Sequence, residues 1–288
     1  MDRSLVLDFD RSVAPPPGAA VLDLSAWQET IRYGCSLADL QRLEAFLAES
    51  GLAAARVTFL GSGDFHHVTY SLVRRLAGAG PFQVVAFDNH PDNMRYPWGI
   101  HCGSWVRHVC ALPFVSKVTV VGITSGDVGW SHLWENHLPP LLRGKLSYLC
   151  LARTSRLASR LVRGLVDFSA DRARFADALG ERLLGDGGDP VYLTIDKDVL
   201  APTAVRTNWD QGILREDELL AAVRRLAPRV FAADVTGEIS FFRHARWWKR
   251  LLARLDGQSL SSPVDLAALQ AAHHDLNLRL LQAITGAA

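Results

Sequence analysis

Residues 191–198 read Val-Tyr-Leu-Thr-Ile-Asp-Lys-Asp, an apolar run that ends in two aspartates one residue apart. A near-continuous apolar run of this length is typical of a parallel strand buried on both faces. Because side chains alternate along a strand, we expect Asp196 and Asp198 on one side, just past the apolar segment. In open parallel sheets ligands bind beyond the carboxyl ends of the strands, so this stretch predicts a site as well as a strand.

Similar apolar runs recur along the chain and alternate with helical periodicity. Further strands are predicted at residues 5–10, 57–61, 84–90, 118–124, 146–152 and 230–236. Helices are predicted at residues 37–50, 68–79, 171–184, 216–227 and 265–284. This alternation predicts an α/β fold, a three-layer α-β-α sandwich around a mainly parallel sheet. We expect residues 1–288 to form a single domain.

Composition and charge exclude several classes of protein. The net charge is +1, with 21% charged residues, which provides no electrostatic basis for binding nucleic acid or an anionic membrane. The four cysteines form no Cys-x-x-Cys pair, so neither a disulfide framework nor a thiolate zinc site is expected. The sequence shows neither a signal-peptide pattern nor an apolar stretch of about 18 residues. We therefore expect a cytoplasmic protein with a small-molecule substrate.

Two other predicted strands also end in groups that bind metal ions. Residues 84–92 read Val-Val-Ala-Phe-Asp-Asn-His-Pro-Asp, which places Asp88, His90 and Asp92 at alternate positions. Residues 59–67 read Phe-Leu-Gly-Ser-Gly-Asp-Phe-His-His and lead directly into a predicted helix. Because parallel strands end at one edge of the sheet, all these groups are expected to converge there.

The charge of the converging aspartates favours bound cations. The four concerned carry −4 when ionised: Asp88, Asp92, Asp196 and Asp198. Without cations they would repel one another and some would have to protonate, whereas two divalent ions contribute +4. A ligand set of aspartate and histidine without cysteine suits Mn²⁺ or a similar octahedral ion.

These motifs resemble those of the arginase/agmatinase (ureohydrolase) family. Residues 88–92 are similar to the family's Asp-Ala-His-x-Asp strand end. Residues 194–202 are similar to its Ser-x-Asp-x-Asp-x-x-Asp-Pro strand end, with Ala201 in place of the last Asp. The family's Gly-Gly-Asp-His-Ser turn is matched with one inserted residue, Phe65, which makes His66 the counterpart of its histidine ligand.

The resemblance implies an arginase-like fold and a site for two divalent ions, of which Mn²⁺ is the simplest choice. One ion would be bound by His66, Asp88, Asp92 and Asp196, and the other by Asp88, His90, Asp196 and Asp198. A hydroxide shared by the two ions would attack the trigonal carbon of a guanidino compound and release a urea-type product. Asp92 would orient that hydroxide. Family members form trimers or hexamers, so a homo-oligomer is a further expectation.

Two more catalytic residues follow from the same resemblance. His101, in His-Cys-Gly-Ser, resembles the family's His-Gly-Thr histidine, which would pass a proton to the leaving amine. The family's guanidinium-binding Glu lies three residues after a late Asp, whereas here Gly237 follows Asp234 at that spacing and Glu238 comes one later. A bulge at Gly237 would aim Glu238 into the pocket. Alternatively, Glu238 lies at the surface and the substrate is not a guanidine.

Three functions stay open from the sequence. The first is the guanidino hydrolase, and the second uses the same metals on an amide, hydroxamate or formimino substrate. The third is a catalytically silent metal-binding scaffold that docks a partner.

Four tryptophans lie in or beside two long predicted loops: Trp98, Trp105, Trp130 and Trp134. They would either anchor the loops or favour a substrate that is bulkier or more apolar than arginine.

Overall fold

The computed structural model describes residues 4–51, 55–129, 134–151, 165–168, 175, 179, 188–255 and 265–286. The predicted helix at 171–184 lies outside the described residues except for Phe175 and Leu179, and Trp130 lies outside them as well. Within the described part, no helix is long and apolar enough to cross a membrane.

The described residues contain a central sheet of nine strands, all paired in parallel, and a separate antiparallel pair. The strands are β1 Ser4–Asp8, β2 Ala20–Asp23, β3 Gly34–Cys35, β4 Val57–Ser62, β5 Phe82–Phe87, β6 Ile100–His101, β7 Val115–Ile123, β8 Leu146–Cys150, β9 Leu165–Asp167, β10 Val191–Asp196 and β11 Val230–Glu238. The sheet order is β2-β1-β4-β11-β10-β5-β7-β8-β9, and β3 pairs with β6 outside it. The predicted parallel α/β fold is confirmed.

The helices flank this sheet. They are α1 Gln28–Ile31, α2 Leu37–Glu49, α3 Val68–Arg74, α4 Trp105–Cys110, α5 Pro139–Leu142, α6 Glu216–Leu226, α7 Trp247–Leu255 and α8 Leu266–Thr285. Helix α2 begins where the Ser36 side chain accepts a hydrogen bond from the Asp39 N–H. Helix α3 ends earlier than predicted, because Leu76 and Ala77 bond to carbonyls three residues back and tighten the chain into turns.

Two apolar cores, one on each face of the sheet, complete the three layers. One core contains residues of α2 and α4, and the other contains residues of α6 and α8. Strand β10 contributes to both because its side chains alternate: Tyr192 packs in the first core, and Leu193 and Ile195 pack in the second. Its neighbours β5 and β11, followed by β4, bring the carboxyl ends of the ligand-bearing strands to one edge of the sheet.

We predict that the second core depends on helix α8. Leu276 is fully buried, so Leu276→Ala should lower the free energy of unfolding by about 2–5 kcal/mol. Leu142→Ala is the matched control, because Leu142 is 63% exposed and its loss should change stability by less than about 0.5 kcal/mol. Urea unfolding followed by circular dichroism measures both, and equal effects would contradict the prediction.

Candidate metal centre

The structure brings the six predicted metal ligands together at the carboxyl ends of β4, β5 and β10. Two overlapping groups could each hold an ion: His66 with Asp88 and Asp92, and Asp88 with His90 and Asp198. Asp196 joins the first group, because its Oδ2 lies 3.5 Å from His66 Nδ1. All six side chains are buried except that of His90, which is partly buried.

A chain of hydrogen bonds fixes the ring of His66. The Thr194 hydroxyl donates to Asp234 Oδ1 over 2.6 Å, so it accepts from His66 Nε2, 3.0 Å away. Tyr192 donates to the other oxygen of Asp234 over 2.5 Å. The remaining ring nitrogen, Nδ1, therefore points into the cluster, 3.2 Å from Asp92 and 3.3 Å from Asp88. A lone pair and carboxylate oxygens aimed at one point are the arrangement that a cation requires.

His90 is oriented in the same way on the other side of Asp88. Its outer nitrogen, Nε2, lies 2.8 Å from Asp210 Oδ1. Its inner nitrogen, Nδ1, lies 2.9 Å from Asp198 and 3.7 Å from Asp88. A carboxylate on the outer nitrogen is the usual partner of a metal-binding histidine, and the sequence analysis had not identified Asp210 in this role.

Asp92 has a left-handed backbone, with φ of 45°. The conformation is unfavourable for a residue with a side chain and persists where its surroundings enforce it. Here the indole of Trp105 donates to Asp92 Oδ2 over 2.6 Å, and the Asp92 carbonyl accepts from the Val106 N–H at 3.0 Å. Trp105 is thus a buried support for a ligand and does not line the cavity.

The electrostatics of the cluster fit bound cations. Burial, and then the charge of Asp88, raise the pKa of Asp92 to about 7 and that of Asp198 to about 6. Burial and the neighbouring Asp198 raise the pKa of Asp196 well above its ordinary value. Asp88 Oδ2 is buried and has no hydrogen-bond partner among the residues that the structure describes. Divalent ions would both lower these pKa values and occupy the position that this oxygen faces.

The cluster lies at a cavity of about 500 Å³, which all of its members except His66 line. His101 lines it, as predicted for a residue near the substrate. His101 Nδ1 accepts from the Gly103 N–H at 3.0 Å, so the neutral ring carries its proton on Nε2. Burial, followed by the charges of Arg107 and His108, lowers the pKa of His101 to about 4.

The structure places Glu238 away from the cavity and also away from the surface. Its carboxylate accepts hydrogen bonds from the buried amine of Lys197 and from Asn277 Nδ2, and it lies 3.1 Å from His273 Nδ1. A β-bulge does occur at Gly237, with φ of 91°, but it turns Glu238 toward helix α8. Gly237 has no room for a side chain, because a Cβ there would lie 2.4 Å from Asp196 Oδ1. The predicted substrate-binding role of Glu238 is therefore not supported by its position.

The aromatic lining of the cavity differs from the predicted one. Of the four tryptophans singled out in the sequence, Trp98 lies at the rim, while Trp134 is 71% exposed and outside the lining. Tyr33, Tyr96 and Trp209 also line the cavity, although the sequence motifs did not indicate them. Trp209 comes 13 residues after Asp196, the end of β10. This nearness along the sequence to a predicted ligand is the signal that could have indicated Trp209.

This geometry defines the class of fold: a parallel α/β sandwich with a His/Asp cluster at its strand ends that could hold metal ions. A proclavaminate amidino hydrolase from Streptomyces clavuligerus matches with a TM-score of 0.56 and 18% identity over 99% of this chain and 92% of that one. The agmatine ureohydrolase of Thermoplasma volcanium matches with a TM-score of 0.55 and 14% identity over 98% and 89%. The chain has the arginase-like fold, and the resemblance inferred from the motifs is confirmed at that level.

The sequence comparisons are more limited. No family model matches the chain. An uncharacterized protein of Thermotoga maritima is 30% identical over 183 residues, which are 63% of this chain and 58% of that protein.

We predict that Thr194→Val weakens metal binding about 10- to 100-fold, because the hydroxyl that fixes the tautomer of His66 is lost. Thr119→Val is the matched control, since Thr119 is also buried but lies in the middle of β7. Competition with a chelator, followed by elemental analysis, gives both affinities. Unchanged affinity in Thr194→Val would exclude this role for the hydroxyl.

We also predict a proton-linked contribution of His273 to stability. Burial, followed by the charge of Lys197, lowers the pKa of His273 to about 4. The unfolded chain therefore binds a proton at His273 between about pH 6.5 and 4 that the folded chain does not, and stability falls as the pH falls through that window. In His273→Gln the free energy of unfolding should depend less steeply on pH in this window, by up to about 1.4 kcal/mol per pH unit. Urea unfolding with chelator present measures the difference, and parallel slopes would contradict it.

Proposed function

We propose that this chain is a divalent-metal hydrolase that cleaves a carbon–nitrogen bond in a small molecule. The observation that carries the proposal is the convergence of His66, His90 and four aspartates, all of which except His66 line one cavity. The inner nitrogens of both histidines face carboxylate oxygens, an arrangement that suits bound cations and serves no evident structural purpose without them. The neighbours in fold include amidino and agmatine hydrolases, which supports this reaction class.

The residues of the site would have different roles in the proposed hydrolysis. One ion would lie among His66, Asp88, Asp92 and Asp196, and the other among Asp88, His90, Asp196 and Asp198, with Mn²⁺ suited to such ligands. Bound there, the ions would supply Lewis acidity and an ionised water near neutral pH. Asp92, fixed by the Trp105 indole, would orient the attacking group. His101, neutral and protonated on Nε2, would donate a hydrogen bond from that nitrogen to the leaving nitrogen, and the proton that the departing amine keeps would come from the attacking water.

The substrate has two candidate classes. A guanidino compound is the class that the resemblance implies, and it needs a carboxylate to hold the guanidinium. Glu238 is engaged with Lys197 and Asn277, and Gly237 has no room for a replacement. This arrangement favours the second class, in which the same metals act on an amide, hydroxamate or formimino group that requires no such carboxylate.

We predict that metal-loaded protein hydrolyses members of one of these classes and that Asp196→Asn lowers kcat/KM at least about 100-fold. Asp127→Asn is the matched control, because Asp127 lines the cavity outside the ligand cluster, and it should retain activity within several-fold. Urea release would identify a guanidine, whereas ammonia, amine or acid without urea would identify the second class. Metal content well below one ion per chain after loading would end the proposal.

A further inference from the structure

Aromatic rings form a continuous wall beside the metal cluster. Tyr33 lies parallel to two neighbours, with ring centroids 6.2 Å from those of His101 and of Trp209 and interplanar angles of 13° and 20°. Tyr96 meets His101 edge-on at 4.4 Å, and Trp209 meets the ligand His90 edge-on at 6.1 Å. All these residues line the cavity, so we call the four rings of Tyr33, Tyr96, His101 and Trp209 the aromatic wall.

The backbone of Tyr33 is strained in the way typical of functional positions. Its φ is 71°, a left-handed conformation that is an outlier for a bulky residue. The surroundings enforce it from both sides, because the Tyr33 N–H donates to the Asp64 carbonyl at 2.9 Å and its carbonyl accepts from the Cys102 N–H at 3.1 Å. Strain of this kind persists when a side chain must occupy one place. Here that place is the wall of the cavity.

A single buried carboxylate fixes both sides of this wall. Asp64 accepts from the Trp209 indole at 3.1 Å through Oδ1 and from Arg32 Nε at 2.6 Å through Oδ2. Arg32 directly precedes Tyr33, and the Arg32 carbonyl accepts from the buried amine of Lys249 at 2.8 Å. The rings of Tyr33 and Trp209 are therefore held before any ligand arrives. A preorganised apolar surface loses little entropy on binding.

The charges of the cavity disfavour an anionic substrate. Among the described residues, the charged lining outside the six predicted ligands consists of Asp127, Glu135, Asp210 and Arg95. These four carry a net charge of −2, and with the ligand aspartates balanced by cations the described part of the cavity remains acidic. A carboxylate tail would therefore be repelled, whereas a neutral flat group would find the wall complementary.

Resting on the function proposed above, we infer that the substrate carries a neutral aromatic or heteroaromatic ring next to the carbon–nitrogen bond, and that Tyr33 and Trp209 select it. The ring packs on the aromatic wall while the reacting carbon lies over the metal cluster. This selection replaces the guanidinium–carboxylate pairing that Gly237 and Glu238 do not provide.

Hydroxamic acids test this inference without knowledge of the natural substrate. The hydroxamate group chelates the ions equally in all members of a series, so differences in affinity report on the rest of the molecule. We expect Mn²⁺-loaded protein to bind benzohydroxamate at least about ten-fold more tightly than acetohydroxamate, because burying and stacking a phenyl ring are worth that much in affinity. The third probe, 4-aminobutanohydroxamate, places a cation where the phenyl ring would lie. Isothermal titration calorimetry gives the three affinities.

Two substitutions at Tyr33 distinguish the effect of its aromatic ring from the effect of its backbone conformation. Tyr33→Asn removes the ring but keeps a residue that tolerates the left-handed conformation, and it should reduce the preference for benzohydroxamate to about three-fold or less. Tyr33→Phe keeps the ring and should keep the preference. Trp209→Leu should behave like Tyr33→Asn. Trp247→Leu is the matched control, since Trp247 is 68% exposed on α7 and should leave all affinities unchanged. The ratio of the benzohydroxamate and acetohydroxamate affinities is compared within each variant, so that any general change in chelation cancels.

The outcomes distinguish the inference from the function on which it rests. Elemental analysis precedes titration, and protein that retains no metal would overturn both. Metal-loaded protein that binds benzohydroxamate and acetohydroxamate equally would overturn the aromatic substrate alone and leave the metal hydrolase standing. Tighter binding of 4-aminobutanohydroxamate than of benzohydroxamate would overturn it in favour of a cationic substrate. A benzohydroxamate preference that Tyr33→Asn and Trp209→Leu do not reduce would exclude the aromatic wall as its source.

Discussion

Mutual repulsion among buried carboxylates at one edge of the sheet is the constraint on which the site depends. Two carboxylates about 4 Å apart repel by on the order of 4 kcal/mol near a protein surface, and here Asp88 lies between two further groups of ligands. Parallel pairing makes this crowding unavoidable, because β4, β5 and β10 all end at the same edge. Protonation of the two histidines would offset only part of the repulsion among these carboxylates. Divalent ions relieve it fully, so the proposed cofactors belong to the electrostatic balance of the folded chain as well as to its chemistry.

A second group of buried charged residues lies just beyond the end of β10. Lys197 follows β10 in a 3₁₀ turn, Lys197–Val199, and is fully buried between two residues that face the cluster. A buried ammonium needs a compensating partner, and Glu238 supplies it with help from Asn277 and His273. The position of Glu238 is thus explained by the residue between the metal ligands. A chain with an apolar residue at 197 would have no such need for a carboxylate there.

The parts of the structure that the sequence predicts are those encoded locally. Apolar runs indicate strands, and Asp88 and His90 are two residues apart, so alternation alone places them together. The rest depends on contacts between distant segments. Nothing near Tyr33 shows that its ring meets Trp209, 176 positions later, and nothing near Glu238 shows that Lys197 lies opposite it. Strand β2 was missed for a different reason: it is a mostly exposed edge strand of only four residues, too short for a distinct periodic pattern.

The structure separates what the fold determines from what this chain adds to it. The metal cluster requires only parallel strand ends and second-sphere partners such as Thr194 and Asp210, and it is compatible with many substrates. Selection must come from the loops that surround it, and there the chain has a strained tyrosine, a tryptophan fixed by Asp64, and a glycine that excludes any carboxylate beside Asp196. Each of these three features makes the cavity flatter and more apolar. The first two features lie in separate loops and the third lies in β11, and the substrate inferred above would account for all three.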